Sequence, residues 1–141
     1  MEKVIVVSTN NNPDYYAYSR YIKHAWNMLG WKVCVIADIE IPKREIFGDY
    51  VIRYNKIEGL RSETMAQALR LYVAYHFDED DYLMVSDMDL LPLSDYWHPN
   101  VDEITSYGHD LTDFTFIPMG YIGMKAKKWR EVMNLTGEMY K

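Results

Sequence analysis

The residues of this chain with the clearest chemical potential are two aspartates, Asp87 and Asp89, which follow the apolar run 82–85. A short continuous apolar run of this kind predicts a buried strand. Because side chains alternate between the two faces of an extended segment, both carboxylates point to the same side. Two hard oxygen ligands on one side can hold one divalent cation. The spacing therefore predicts a metal site at the carboxyl end of a strand, where open α/β sheets bind their ligands.

The same D-x-D spacing occurs a second time, at Asp78 and Asp80. This upstream pair precedes the predicted strand and so belongs to the opposite edge of the sheet, where an acidic turn is usually solvated. The alternative for Asp87 and Asp89 is that they form Asx turns that end the strand, which are common. Their position after the strand favours a ligand site.

Composition narrows the classes of function. The chain has 141 residues, of which 49% are hydrophobic, so we expect one ordered domain with a real core. The net charge of −6 argues against a nucleic-acid partner, and a small anion would bind most readily through a metal ion. The single cysteine, Cys34, can form neither a disulfide framework nor a zinc cage and reads as a buried core residue.

Targeting signals are not evident in the sequence. The apolar run at the N-terminus is too short for a signal peptide, and no stretch approaches the length of a membrane span. We therefore expect a soluble protein of a reducing, cytoplasmic compartment.

The elements that must position the aspartates follow from the hydrophobic pattern. Apolar spacing predicts a helix over 15–29, closed by Gly30. A second helix is predicted to have Ser62 as its N-cap and to run to residue 77. Apolar runs predict strands over 4–8, 31–37, 50–54 and 82–85.

The order of these elements predicts the fold class. Strands that alternate with helices indicate an α/β protein with a mostly parallel, doubly wound, Rossmann-like sheet flanked by helices. Near the C-terminus, 114–117 and 121–124 predict a small antiparallel strand pair, followed by a helix from Ala126 that carries Trp129, Val132 and Met133 on one face.

Several polar residues should gather at the edge where Asp87 and Asp89 lie. The helices of βαβ units run antiparallel to the strands, so helix N-termini and strand carboxyl ends share one edge. We expect the turn 9–16, Asp38, Arg61 and Ser62 to converge there.

This convergence resembles the nucleotide-sugar-dependent glycosyltransferases of the GT-A fold. In that family an apolar strand, a D-x-D motif and an apolar-Pro segment follow one another, as in 82–93. A helix with basic residues precedes the motif, like 61–70, and a glycine-containing strand followed by a Trp- or Phe-bearing helix comes after it, like 120–129.

The resemblance implies a metal-dependent transfer of a hexose from a nucleotide-sugar, such as UDP-glucose, to an acceptor hydroxyl of a carbohydrate. The D-x-D motif of the family holds Mn²⁺ or Mg²⁺ against the donor diphosphate. Asp89 would ligate the metal most directly, and Asp87 would contact the ribose or the metal. Tyr15 or Tyr16 would stack on the base, and Arg61, unless it is simply a solvated loop residue, would contact phosphate. The expected nucleotide-sugar-binding residues are Ser8, Thr9, Asn10, Tyr16, Asp38, Arg61, Asp87 and Met88.

On the acceptor side, Asp110 and Asp113 are the candidates for the catalytic base that an inverting enzyme requires. The alternative is that both are ordinary loop carboxylates. His109 is a candidate metal ligand because a histidine often completes the metal site of the family, although usually nearer the C-terminus. The alternative is that His109 is a solvated loop residue. Arg70, two turns into the preceding helix, reads as a packing or ion-pair residue.

Domains of the GT-A family are usually longer than this chain. We therefore expect 1–141 to be a single nucleotide-sugar-binding domain, shortened at its C-terminus. The alternative function is a non-catalytic nucleotide-sugar-binding module, or a half-enzyme that needs a partner chain. A haloacid-dehalogenase-type phosphatase fits less well, because its D-x-D follows the first strand. The glycine-rich dinucleotide and P-loop motifs do not occur.

Overall fold

The computed structural model of the chain describes residues 1–88, 91–92, 102–106 and 121–133. Two short 3₁₀ turns, Lys43–Glu45 and Val73–His76, lie between the main elements. The strands are β1 (Lys3–Thr9), β2 (Lys32–Asp38), β3 (Tyr50–Tyr54), β4 (Tyr82–Val85), β5 (Thr105–Ser106) and β6 (Ile122–Lys125). The helices are α1 (Pro13–Tyr16), α2 (Ser19–Met28), α3 (Ser62–Leu69) and α4 (Ala126–Val132).

The described strands form one sheet in the order β3-β2-β1-β4-β6-β5. β1 to β4 are parallel to one another, whereas β6 pairs antiparallel with both β4 and β5. The expected fold class is therefore confirmed, including a small antiparallel pair near the C-terminus. Of the two strands expected there, 121–124 corresponds to β6, and 114–117 lies outside the described residues.

Both faces of the central strands are covered, which explains their continuous apolar runs. On one face, Ile22 and Trp26 of α2 are fully buried in a cluster with Ile5 and Val7 of β1. On the other face, Met65 of α3 and Trp129 of α4 belong to the second cluster, with Val4, Val6, Leu83 and Val85. The indole of Trp129 also donates a hydrogen bond of 3.0 Å to the carbonyl of Leu83, which ties α4 to β4.

The predicted helix over 15–29 is divided. α1 begins at Pro13 with Asn12 as its N-cap, the side chain of which accepts a hydrogen bond from the amide of Asp14. α2 follows and ends at Met28, and Gly30 adopts a φ of 86°, the left-handed conformation that a helix-ending glycine provides. The helix and its glycine stop are thus present, with an earlier start and an interruption.

The predicted helix over 62–77 is wrong in its second half. α3 ends at Leu69, and its N-cap residue is Arg61, without a side-chain capping bond, so Ser62 is the first helical residue. In the segment 71–76, Val73 is β-branched and two residues are tyrosines, and these types have weaker helix propensity than Leu71 and Ala74 beside them. Its 3₁₀ turn buries Val73 and Ala74 in the core. In α4, Trp129 is buried whereas Val132 is 54% exposed, so the predicted apolar face is buried only in part.

Candidate functional site

A cavity of about 320 Å³ opens at the carboxyl ends of β1 and β4. From β1 the chain continues to β2 on one side, whereas β4 lies on the other side, so these two strands flank the switch point of the sheet. Ligands of open α/β proteins bind in the crevice at this point. The cavity is lined by Ser8, Thr9, Asn10, Tyr15, Glu63, Ala66, Gln67, Arg70, Asp87 and Met88.

The end of β1 is held against α3 by polar side chains. Ser8 Oγ donates a short hydrogen bond to the carbonyl of Ala66. Two positions further, Asn10 Nδ2 donates to Ser62 Oγ at 3.3 Å, and Asn10 Oδ1 accepts from the amide of Asn12 at 3.0 Å. Residues 8 and 10, at the end of β1 and just after it, thus both bond to α3. These contacts fix the floor of the cavity.

Arg70 and Asp87 form the ion pair of the cavity. Arg70 Nη1 lies 2.7 Å from Asp87 Oδ1 and also donates to the carbonyl of Ser86 at 2.9 Å. Arg70 is 7% exposed, whereas the side chain of Asp87 is 43% exposed and therefore accessible to a ligand. The sequence prediction that Arg70 is a packing or ion-pair residue is confirmed.

The importance of Arg70 for the D-x-D segment was missed by sequence reasoning. The available signal was helical spacing: Glu63, Ala66, Gln67 and Arg70 recur at intervals of three and four, so one side of α3 lines the cavity. The residues that this side of α3 faces, Asp87 among them, depend on how the strands pair. A single sequence does not display strand pairing.

Asp38 ends β2 at the same edge but does not line the cavity. It is buried; its Oδ1 accepts from the amide of Glu40, and its Oδ2 has no hydrogen-bond partner in the described structure. Asp38 pairs in register with Tyr54 of β3. Burial, and secondarily the charge of Asp38, raise the pKa of Tyr54 to about 12, so its hydroxyl remains a donor at neutral pH.

Two further expected binding residues lie away from the cavity. A hydrogen bond with Glu45, together with some burial, raises the pKa of Tyr16. This bond holds the Tyr16 side chain at the 3₁₀ turn Lys43–Glu45. Tyr15 lines the cavity instead, because neighbouring helical residues point in directions about 100° apart. The side chain of Arg61 is 84% exposed and lies 3.9 Å from Glu63, outside the cavity lining.

Of the residues predicted to bind metal or acceptor, Asp87 is the one within the described part of the chain. Asp89, His109, Asp110 and Asp113 lie outside the described residues. Within the described part of the chain, no group of three His, Cys, Asp or Glu side chains is placed to hold a metal ion. Asp87 fits one position of a divalent-cation site, since it offers an accessible carboxylate on the cavity. The upstream Asp80 is largely exposed and lies 3.9 Å from Lys125, as expected for a surface turn.

The structure also bears on the membrane prediction. No helix among the described residues combines the length and the apolar character needed to cross a bilayer.

Comparisons with known proteins identify the fold. No protein-family model and no curated protein matches the chain. Among solved structures, the apo-form glycosyltransferase GlyE of Streptococcus pneumoniae TIGR4 matches with a TM-score of 0.56 and 18% identity, over 95% of this chain and 36% of GlyE. The galactosyltransferase LgtC, in complex with donor and acceptor sugar analogs, matches with a TM-score of 0.57 and 15% identity, over 96% of this chain and 63% of LgtC. The LgtC active-site mutant Q189E matches with a TM-score of 0.57 and 16% identity, over 91% of this chain and 59% of that chain.

This chain thus spans between about one third and two thirds of the length of these solved structures. At 15% to 18% sequence identity, the shared arrangement covers 91% to 96% of this chain. The chain therefore has the fold of these glycosyltransferases, and the cavity lies at the ends of β1 and β4 in its six-stranded sheet.

Proposed function

We propose that this chain is a metal-dependent glycosyltransferase domain that binds a UDP-sugar and moves its hexose to an acceptor hydroxyl. The observation that carries the proposal is the position of Asp87, an accessible carboxylate in the cavity at the switch point of the sheet. The fold supports it, because the solved structures that share this fold are glycosyltransferases and LgtC was solved with donor and acceptor sugar analogs.

The cation-binding end of the site would be formed by Asp87 and Asp89. One Asp87 oxygen accepts from Arg70, and the side chain remains accessible from the cavity. Asp89 joins it in the proposal as the second carboxylate of the D-x-D spacing, since oxygen ligands are those that Mn²⁺ and Mg²⁺ take up. When bound, Mn²⁺ or Mg²⁺ would offset the charge of the diphosphate and of the nucleotide leaving group in a chain with net charge −6.

The nucleoside would occupy the end of the cavity formed by β1, α1 and α3. Ser8, Thr9 and Asn10 supply the polar floor, and the Tyr15 ring supplies an aromatic surface for base stacking. Ala66 adds an apolar patch on the wall formed by α3. Tyr15 replaces Tyr16 as the stacking residue in this proposal.

Other predicted site residues keep narrower roles. Met88 lines the cavity and is buried, so we retain it as a wall of the donor site. Asp38 would support the donor site indirectly, through its contacts with Glu40 and Tyr54. Arg61 would reach a phosphate only after its ion pair with Glu63 breaks. Asp110 or Asp113 as the acceptor base and His109 as a metal ligand rest on the sequence alone.

A non-catalytic nucleotide-sugar-binding module, or a half-enzyme with a partner chain, is the second candidate. The observation that favours it is length, because the chain spans 36% of GlyE and 63% of LgtC. In this case 1–141 would be the donor-binding domain, and the groups that bind acceptor would come from elsewhere.

Calorimetric titration with UDP-glucose, with and without Mn²⁺, tests the proposal. We expect binding that requires the metal, and a loss of affinity of about tenfold or more in Asp87→Asn, because an anionic oxygen ligand becomes a neutral amide. Asp80→Asn is the matched control, since this aspartate belongs to the other D-x-D and to the opposite edge. Equal affinity without metal, or no binding in any condition, would rule the proposal out.

A second measurement separates the enzyme from the binding module. UDP release is followed with an oligosaccharide acceptor and with water alone. Metal-dependent release supports an enzyme, whereas metal-dependent binding without release supports the module.

A further inference from the structure

A cationic side chain in the cavity lies next to the carboxylate that is proposed to bind a metal ion. Among the described lining residues, the charged side chains are Arg70, Glu63 and Asp87. Arg70 Nη1 lies 2.7 Å from Asp87 Oδ1, so the aspartate proposed to bind metal already has a cationic partner. A divalent ion at Asp87 would lie close to a fixed positive charge.

Arg70 cannot easily leave this position. It is 7% exposed, and its Nη1 also donates to the carbonyl of Ser86 at 2.9 Å, a contact that does not depend on the charge of Asp87. Its side chain also lies beside the apolar residues Val6, Leu71 and Val85. The guanidinium therefore stays near Asp87 when a cation arrives, and in this partly buried place the repulsion between them is weakly screened.

Arg70 also has unused donor capacity. Its Nε has no hydrogen-bond partner among the described residues but is buried, so an anion in the cavity would meet the Nη groups. A guanidinium carries five N–H donors suited to the oxygens of phosphate groups. An anion in the cavity would reduce the repulsion between Arg70 and the cation and would accept from the guanidinium.

We infer that Arg70 is a positioning residue that makes cation binding at Asp87 conditional on a diphosphate anion. The cation alone binds weakly because Arg70 already neutralises Asp87. The cation and the diphosphate together bind strongly because the anion offsets both positive charges. This inference rests on the proposed function, in which the diphosphate belongs to a nucleotide-sugar. By linkage, the anion raises the affinity for the cation by the same factor as the cation raises the affinity for the anion.

Binding of Mn²⁺, measured from the electron paramagnetic resonance of the free ion, tests the inference without any assay of activity. In the wild type we expect weak binding of Mn²⁺ alone and binding about tenfold tighter or more in the presence of UDP, counted after correction for Mn²⁺–UDP complexes in solution. In Arg70→Met, Mn²⁺ alone should bind more tightly than in the wild type, and the enhancement by UDP should shrink. Arg70→Lys keeps the positive charge but not the guanidinium, so the enhancement by UDP should be larger than in Arg70→Met.

The matched control is Arg130→Met. Arg130 donates to the carbonyls of Ala74 and Phe77, outside the lining of the cavity, so its replacement also removes an arginine bonded to backbone carbonyls but leaves the residues that line the cavity in place. Equal Mn²⁺ affinity with and without UDP in the wild type would overturn the inference whether or not the variants fold. Arg70→Met that matches Arg130→Met in both titrations would also overturn it.

Pyrophosphate distinguishes this inference from the proposed function. If pyrophosphate enhances Mn²⁺ binding through Arg70 and UDP does not bind, the role of Arg70 stands and the nucleotide-sugar function falls. If UDP-glucose binds with metal and Arg70→Met leaves the coupling unchanged, the function stands and the role of Arg70 falls.

Discussion

The hydroxyl of Tyr54, on β3, donates a hydrogen bond of 2.9 Å to the carbonyl of Thr9, on β1. Because β2 lies between these strands, the phenol reaches across the end of β2, where Asp38 is buried. Thr9 is part of the cavity floor. This bond therefore connects the edge of the sheet to the candidate nucleotide site.

Tyr54→Phe tests this connection. We expect the free energy of unfolding to fall by about 1 kcal/mol at neutral pH, because the Thr9 carbonyl loses a buried donor. Chemical denaturation monitored by circular dichroism measures the change. Tyr21→Phe is the control, because this tyrosine is an exposed residue of α2 and its hydroxyl should contribute little. A similar loss in both variants would contradict the role of the Tyr54 bond.

The same variant changes the dependence of stability on pH. The pKa of Tyr54 is raised from 10.0 to about 12 in the folded state, so its contribution is complete below pH 10 and is lost as the pH rises toward 12. In this window the unfolded chain releases a proton that the folded chain keeps, which steepens the decline of stability by about 1.4 kcal/mol per pH unit. Tyr54→Phe should decline less steeply between pH 10 and 12. An unchanged slope would show that Tyr54 does not titrate differently on unfolding.

Tyr15→Ala and Tyr16→Ala separate two neighbouring rings. Loss of a ring stacked on a base costs about 1–3 kcal/mol, or about 5-fold to 150-fold in affinity, so Tyr15→Ala should weaken UDP binding in the presence of Mn²⁺ by a factor in this range. Tyr16→Ala should stay within about twofold, because the Tyr16 side chain is hydrogen-bonded to Glu45 and does not line the cavity. Calorimetry measures both affinities. If UDP affinity falls more in Tyr16→Ala than in Tyr15→Ala, Tyr16 is the residue that stacks on the base.

Gly123 on β6 allows the Tyr82 ring of β4 to pack directly over the strand. A Cβ atom at this position would overlap the Tyr82 hydroxyl and ring. Gly123→Ala should therefore lower the free energy of unfolding by about 1–3 kcal/mol. In a Tyr82→Phe background the cost should shrink, since the nearest atom is gone, and a double-mutant cycle by denaturant titration measures the difference. Additive effects would indicate that the two residues do not meet.

Cys34 should be inert in the native state. It is fully buried in β2, and burial raises the pKa of its thiol from 9.0 to about 12. As the single cysteine of the chain, it gives an unambiguous labelling signal. Labelling with an aromatic disulfide reagent at pH 8 should be slow for the native protein and fast in denaturant, because the thiolate is the reactive form. Rapid labelling of the native protein would contradict this burial.

The helix predicted over 62–77 explains why some sequence predictions failed. Apolar residues continue at helical spacing past Leu69, but the chain leaves the helix there and buries Val73 and Ala74 in a 3₁₀ turn. Arg70 lies at this break and uses it to reach Ser86 and Asp87. Past Leu69, packing of the chain against the sheet outweighed the helical spacing of the apolar residues.

The sequence by itself determined the central strands and the edge at which Asp87 lies. Each buried strand is a local apolar run, because a parallel sheet covered on both faces requires nothing else of its side chains. The direction of the chain through 82–85 then places Asp87 at the carboxyl end, before any other strand is known. The tertiary structure decided the strand order, the pairing of Arg70 with Asp87 and the choice of Tyr15 over Tyr16. These depend on contacts between distant segments and on the rotation of each helix about its axis, which packing against the sheet sets and which local periodicity does not encode.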